Sequence, residues 1–290
     1  MKNITQNPTL SANTESRNKR AAVSTLLNIA LLVFGLLAVV PFVWMVLSAF
    51  KSNVEINALN QTFFPLEPTL ENFWNVLQKF DFARYFMNSL GYAIIITVLT
   101  IYTSALSGFV LCKYKFKGRE ALFTLILMTM MVPGVVTIIP RFTMMQDLKW
   151  LDSIKALVLP SLFTSFGVFL MRQACASIPN EIIEAARIDG ANEFYIFHRI
   201  ILPQLHNSVV SMAIFQFLWA WDDYLWPYLV MQSGEKQMLS VALNMFSGQY
   251  STDYAGLFAA TSLAIIPVVV VYLIFQKKFI AGVSASAVKG

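Results

Sequence analysis

Six stretches of the chain stay apolar for about the 20 residues a helix needs to cross a bilayer. They cover residues 23–47, 87–111, 122–140, 154–171, 209–230 and 257–275. Residues 1–20 are polar and form an N-terminal tail. Residues 21–279 form one membrane domain, and 280–290 a short C-terminal tail. The first apolar run is too long for the core of a cleavable signal and lacks a small-residue cleavage site, so it reads as a retained span. The third and fourth runs contain Pro133-Gly134 and Pro160, and the sixth contains Pro267. Proline inside a span is tolerated where neighbours satisfy the freed carbonyls, so each predicts a helix kink, with a moving hinge as the sharper alternative. The segment 51–86 between the first two spans is long enough for an amphipathic piece outside the membrane.

Composition strengthens the pattern. Hydrophobic residues make up 57% of the 290 positions and charged residues 13%, against roughly 45–50% and 25% in soluble domains. A soluble chain of this length cannot hide that much apolar surface. Nucleic-acid binding, a secreted disulfide scaffold and a disordered tail protein are thereby disfavoured. Cys112 and Cys175 lack metal or redox spacing and read as two small hydrophobic residues.

The net charge of +5 is then a statement about topology. Fourteen lysines and arginines fall on the side of the termini and seven on the other. Short cytoplasmic loops carry the excess of basic residues, so both termini are expected in the cytoplasm. Trp44, Trp74 and Trp150 fit an interfacial belt or a loop core equally well.

The loop 177–204, SIPNEIIEAARIDGANEFYIFHRIILPQ, is too polar to span yet clearly patterned. Asn180 is a good N-cap, and Glu181 and Glu184 suit the start of a helix. Ile182, Ile183, Ala186 and Ile188 predict one apolar face. Gly190 ends that helix, Asn192 caps a second one, and Pro203 stops it. The exposed apolar face fits a protein docking site or a helix lying on the membrane surface.

Here the chain resembles the permeases of ABC importers. Glu184-Ala185-Ala186, Gly190, Ile200 and Leu202-Pro203 match their EAA signature at every fixed position, and Asp189 fits the variant of the carbohydrate-uptake branch. The segment 217–227, FLWAWDDYLWP, looks like that branch's W-N-[DE]-Y-L-x-P stretch. The ending 279–290 resembles its G-A-V-K-G tail, and the likeness runs from about Ala21 onward. Asp222 stands where Asn is usual and Ser286 where Gly is usual.

The resemblance implies an all-α protein with the type I importer permease fold, set in the inner (plasma) membrane of a prokaryote and surrounded by lipid. It implies that 177–204 inserts into an ATP-hydrolysing subunit. Glu184 would pair with a basic group there, Ala185 and Ala186 would allow close packing, and Gly190 would allow the bend. The expected partners are a second, related permease, two ATP-binding subunits and an external solute-binding protein that delivers sugar.

No phosphate-binding loop and no catalytic cluster occur in the chain. ATP and Mg are therefore expected on the partner ATPase, with no cofactor held here and no enzyme activity of its own. His198 and His206 flank the loop without a third ligand and read as surface groups. Asp222 and Asp223 are the costliest residues in any span, at roughly 2.5–3.5 kcal/mol each at mid-helix. They are read either as a structural contact framed by Trp219, Trp221, Tyr224 and Trp226, or as a gate or sugar contact. Gln216, Asn88 and Ser107 are weaker candidates. Cargo other than sugar, and ion-coupled transport without an ATPase, remain as alternatives; the EAA loop argues against the second.

Overall fold

The computed structural model describes residues 8–248 and 252–287, with the side chains of 23–78, 80–248 and 252–276. The last three residues of the G-A-V-K-G ending lie outside the described residues. Among the described residues the chain is helical throughout, apart from one isolated bridge between Ser247 and Thr252.

The first helix, α1 (Pro8–Ser48), begins within the expected polar tail and continues through the first span. It exposes its sides from Val23 through Val40 and meets the rest of the chain near its end. There Trp44 packs edge-on to Phe258 at 5.3 Å, and Ser48 and Ala49 are buried. The segment 51–86 supplies α2 (Asn53–Ile56) and the amphipathic α3 (Glu71–Lys79), which lies across α15 (Tyr254–Ala264). Asn53 ties this cap down: it donates to the Asp253 carboxylate at 2.7 Å and accepts from the amide of Ala255. Lys51, expected as a loop cation, is only 2% exposed and donates to the carbonyl of Thr62.

The centre of the bundle is α4 (Phe82–Lys113), a single 32-residue span. Further spans form from paired helices. The third joins α5 (Arg119–Thr129) to α6 (Ile138–Asp147), and the fourth joins α7 (Ile154–Val158) to α8 (Ser165–Ala176). The fifth is α12 (His206–Asp222) followed by α13 (Leu225–Val230), and the sixth is α15 followed by α16 (Ile266–Ala287).

The prolines do more than kink these helices. The third span turns by 96° around Pro133 and the fourth by 48°. The fifth, expected unbroken over 209–230, opens at Asp223-Tyr224, because the ring of Pro227 would collide with the carbonyl four residues earlier, that of Asp223. The broken ladders are repaired from outside. Pro160 leaves the carbonyl of Ala156 without a helical donor, and the Trp226 indole N–H supplies one at 3.0 Å. Thr100 and Thr103 of α4 donate to the carbonyls of Ser161 and Leu162. Trp221 donates to Ala264 at 3.1 Å, at the joint between α15 and α16. Two tryptophans of the aromatic segment, Trp221 and Trp226, thus serve as hydrogen-bond donors at helix breaks.

α4 and α8 run parallel and close. Ser104 faces Gly167, and Gly108 lies so near α8 that a Cβ there would sit 2.7 Å from the Arg172 amide nitrogen. Small residues let backbones approach in this way inside a membrane.

Between the third and fourth spans, Asp152 clasps its own loop to the loop 231–238. Its carboxylate accepts from the amides of Gln232 and Ser233, the Ser233 hydroxyl and Lys236 Nζ. Lys236 and Ser233 hold this carboxyl well below the usual carboxylate range. Because the folded value is lowered, the clasp stabilises fully above the ordinary aspartate pKa of about 3.9 and weakens only as pH falls toward the lowered value. Amide protection in 231–238, taken relative to the intrinsic exchange rate at each pH, should therefore be the same at neutral and at mildly acidic pH, and Asp152→Ala should lower it at both.

Candidate functional site

The breaks of spans three, four and five converge. Gly134 and Met130, Phe163 and Thr164, and Asp223 come from the three interruptions and line one cavity of about 880 Å³ against α4. Irregular backbone at membrane depth is tolerated where it is buried in protein or lines such a cavity. Broken half-helices near the midplane are a recurrent way of building solute sites.

The wall carries charge. Tyr92 of α4 donates to Asp223 Oδ2 at 3.2 Å. Arg141, in the first turns of α6, lies over the Trp226 ring at 4.4 Å and donates to the Ser161 hydroxyl at 3.2 Å. Its Nε is buried and unpaired. Arg141 and Asp223 therefore face the same space from opposite broken spans, and no carboxylate among the described residues comes within 4.0 Å of Arg141. Gln216 and Trp219 complete the lining beside Asp223.

The sequence candidates separate on this geometry. Gln216 and Asp223 meet in the cavity. Asp222 points the other way, into a crevice of about 390 Å³ shared with Leu218, Trp221 and Val268. Trp221 is buried between Phe86 and Phe217. Tyr224 stacks on Tyr228 at 5.6 Å. Asn88 donates to the carbonyls of Glu235 and Gln237, away from the cavity. Tyr92 and Arg141 went unnoticed in the sequence. Arg141 is one of the seven basic residues on the far side in the charge count, and an arginine eight residues after Pro133 is the signal that places it in the cavity.

The EAA-bearing loop forms two short limbs. α9 (Asn180–Ile188) closes on Gly190, whose φ is +82°, with Ala191 N–H to Ala186 C=O and Gly190 N–H to Arg187 C=O. That double closure requires a left-handed residue, which glycine adopts without strain. Asn192 caps the second limb by accepting from the Tyr195 amide at 2.8 Å. Asn180 does not cap α9. It sits one position inside the helix, and its Oδ1 accepts from Lys113 instead.

The second limb runs α10 (Glu193–Tyr195), a π-helical turn (Ile196–Ile201) and α11 (Leu202–Gln204), then turns 78° into α12. Pro203 does not end the helix where expected. Its ring crowds the carbonyl of Arg199, and the preceding turn widens to a π form. Gln204 then donates its side-chain amide to Ile200 at 3.0 Å.

The predicted apolar face of α9 splits in two. Ile183 and Ala186 turn inward onto Ile196, Phe197, Ile201 and Phe109. Ile182 and Ile188 turn outward, with Ile188 86% exposed and Phe194 of the next limb 71% exposed. Glu184, Ala185 and Asp189 share this outer surface. Ile200 and Leu202 are half-buried and Pro203 is exposed.

The bend is braced from within. Arg187 Nε donates to Glu193 Oε1 at 2.8 Å, and Tyr114 donates to Glu193 Oε2. Arg187 holds the Glu193 carboxyl below its ordinary range, while burial and that hydrogen bond push the Tyr114 phenol up to about 12. His198 joins the phenol of Tyr102 to the carbonyl of Phe194, as an interfacial rather than a ligating group.

Comparison with known proteins agrees with this architecture. Residues 104–284 match the family model described as binding-protein-dependent transport system inner membrane component. An arabinooligosaccharides transport system permease protein of Halalkalibacterium halodurans is 34% identical over 277 residues, covering 94% of this chain and 99% of the relative. The lactose transport system permease protein of Rhizobium radiobacter is 30% identical over 250 residues, covering 86% and 91%. A chain in the crystal structure of a bacterial ABC transporter involved in the import of the acidic polysaccharide alginate has the same fold. It superposes with a TM-score of 0.80 over 89% of this chain and 97% of that one, at 24% identity. With a family model that matches most of its length and relatives that align over nearly their whole length, the chain belongs to the family of inner-membrane components of binding-protein-dependent transport systems.

Proposed function

We propose that this permease works in an ATP-driven importer of sugars or oligosaccharides. The observation that carries the reading is the loop 177–204. It is rigidly folded on its inner side, yet it leaves Glu184, Ala185, Ile188 and Phe194 facing outward. An apolar patch rimmed by charge fits a protein partner. Two ATP-binding subunits would close on ATP and Mg and move this loop. Gly190 sets the angle between its limbs, and the 78° bend into α12 would carry the motion to the fifth span.

In this reading both termini and the loop lie in the cytoplasm. Residues 1–20 and 280–290 are tails and 21–279 the membrane domain. A second, related permease completes the path around the cavity, and an external binding protein delivers the solute. The cargo assignment is supported by the sugar named in each relative and by the mixed lining of the cavity, where Trp219 and Tyr92 offer aromatic surface beside Gln216, Arg141 and Asp223.

The test is uptake into proteoliposomes holding this chain, its partner permease and the ATPase, with the binding protein outside. Accumulation of labelled arabino-oligosaccharide or lactose should need ATP and the binding protein and survive an ionophore. Uptake by this chain alone that collapses with the ionophore would overturn the reading. Arg141→Gln should lower coupled uptake at least tenfold at unchanged membrane yield, since it removes the cation from the cavity wall while keeping a polar N–H donor there.

A further inference from the structure

The fold brings the chain's two cysteines together. Cys112 and Cys175 are 63 positions apart, and each is the penultimate residue of its helix, α4 (Phe82–Lys113) and α8 (Ser165–Ala176). These helices run parallel. Gly108 meets Met171 and Arg172 so closely that a Cβ on it would lie 2.7 Å from the Met171 Cβ. One helical turn further along, at i+4 on both helices, the facing residues are Cys112 and Cys175. Just beyond, Lys113 reaches the carbonyl of Ile178 and so holds the same register. Cys175 is buried in the cluster against which Cys112 packs, and Cys112 is partly exposed at the rim.

We propose that Cys112 and Cys175 are a reversible disulfide-forming pair. Glycine-mediated approach places the two backbones nearer than the usual 8–10 Å between helix axes, within reach of a disulfide's Cα spacing of about 4.4–6.8 Å. The difference in exposure fixes the order of events. The Cys112 thiolate attacks the disulfide of an oxidised low-molecular-weight thiol and releases one thiol. Cys175 then loses its proton and attacks the sulfur of Cys112, and the second small thiol departs. One small disulfide is reduced to two thiols while two cysteines become one bridge. Cys175 lies five residues before Asn180, so the bridge pins α4 to the root of the EAA-bearing loop.

The full chain in isolated membranes is treated with an excess of oxidised glutathione, then denatured, labelled with a maleimide, digested and weighed, beside an untreated control. The expected result is a linked pair of peptides two hydrogens lighter than their sum, at least a tenfold loss of maleimide labelling at both cysteines, and full recovery after a dithiol reductant. Cys175→Ser should instead leave a lasting glutathione adduct on Cys112. Full labelling of both cysteines after oxidation would overturn the proposal. So would a persistent adduct on wild-type Cys112 beside a free Cys175, and either outcome is read on the unmodified sequence.

Discussion

Glu184→Lys should reduce coupled uptake by at least a hundredfold while the chain still inserts and folds. Glu184 is exposed on the outer face of α9, and among the described residues it has no hydrogen-bond or ion-pair partner. Reversing its charge therefore disturbs nothing within the chain. Against a basic group on the ATPase it replaces attraction with repulsion. Truncating one member of a desolvated charge pair costs about 2–5 kcal/mol, and 1.4 kcal/mol is a factor of ten. Co-purification of the ATPase should fall in parallel, with membrane yield unchanged. Normal uptake by the lysine variant would remove Glu184 from the docking surface and leave the rest of the loop's geometry intact.

The second large effect is on folding. Gly108→Val should destabilise the bundle severely. A Cβ at this position meets the Arg172 backbone nitrogen at 2.7 Å and the Met171 carbonyl carbon at 2.8 Å, and backbone atoms cannot step aside. Overpacking ordinarily costs about 1–3 kcal/mol, and a branched side chain against backbone belongs at or above the top of that range. The expected readout is a clear fall in thermal midpoint, or loss of detergent-stable protein. Gly91→Ala is the control on the same helix: nothing lies within 4 Å of its Cβ position. It should be neutral or slightly stabilising, since alanine is favoured over glycine in a helix by about 1 kcal/mol. Equal behaviour of the two variants would show that the α4–α8 approach is looser than described.

Length and apolarity made the six spans legible, because lipid demands both from any helix that crosses it. The loop was legible where its signals are local. Gly190 and Asn192 act through backbone within four residues of themselves, and both do what their positions predict. Asn180 failed for the complementary reason: its side chain answers to Lys113, 67 residues away. The breaks were underestimated because a proline's effect depends on who replaces the lost hydrogen bond. For Ala156 the answer is the indole of Trp226, 70 positions later. Arg141 was hidden by the 96° turn, which carries a residue read as external loop into the lining of the cavity. The opposite facing of Asp222 and Asp223 follows from where α12 ends, between them, and no periodicity could announce that end.

The convergence of three helix breaks also sets where the backbone is weakest. At 130–132 and 162 the α-helical ladder gives way to bonds reaching only three residues back, and at 163–164 and 223–224 it is interrupted. The flanking helices keep the full ladder, so amides at the breaks should exchange faster than those of the helices on either side. The breaks border the cavity. Spans three, four and five can each flex at the depth of the cavity while α4 runs through it unbroken, and Asp223 belongs both to a joint and to the polar wall.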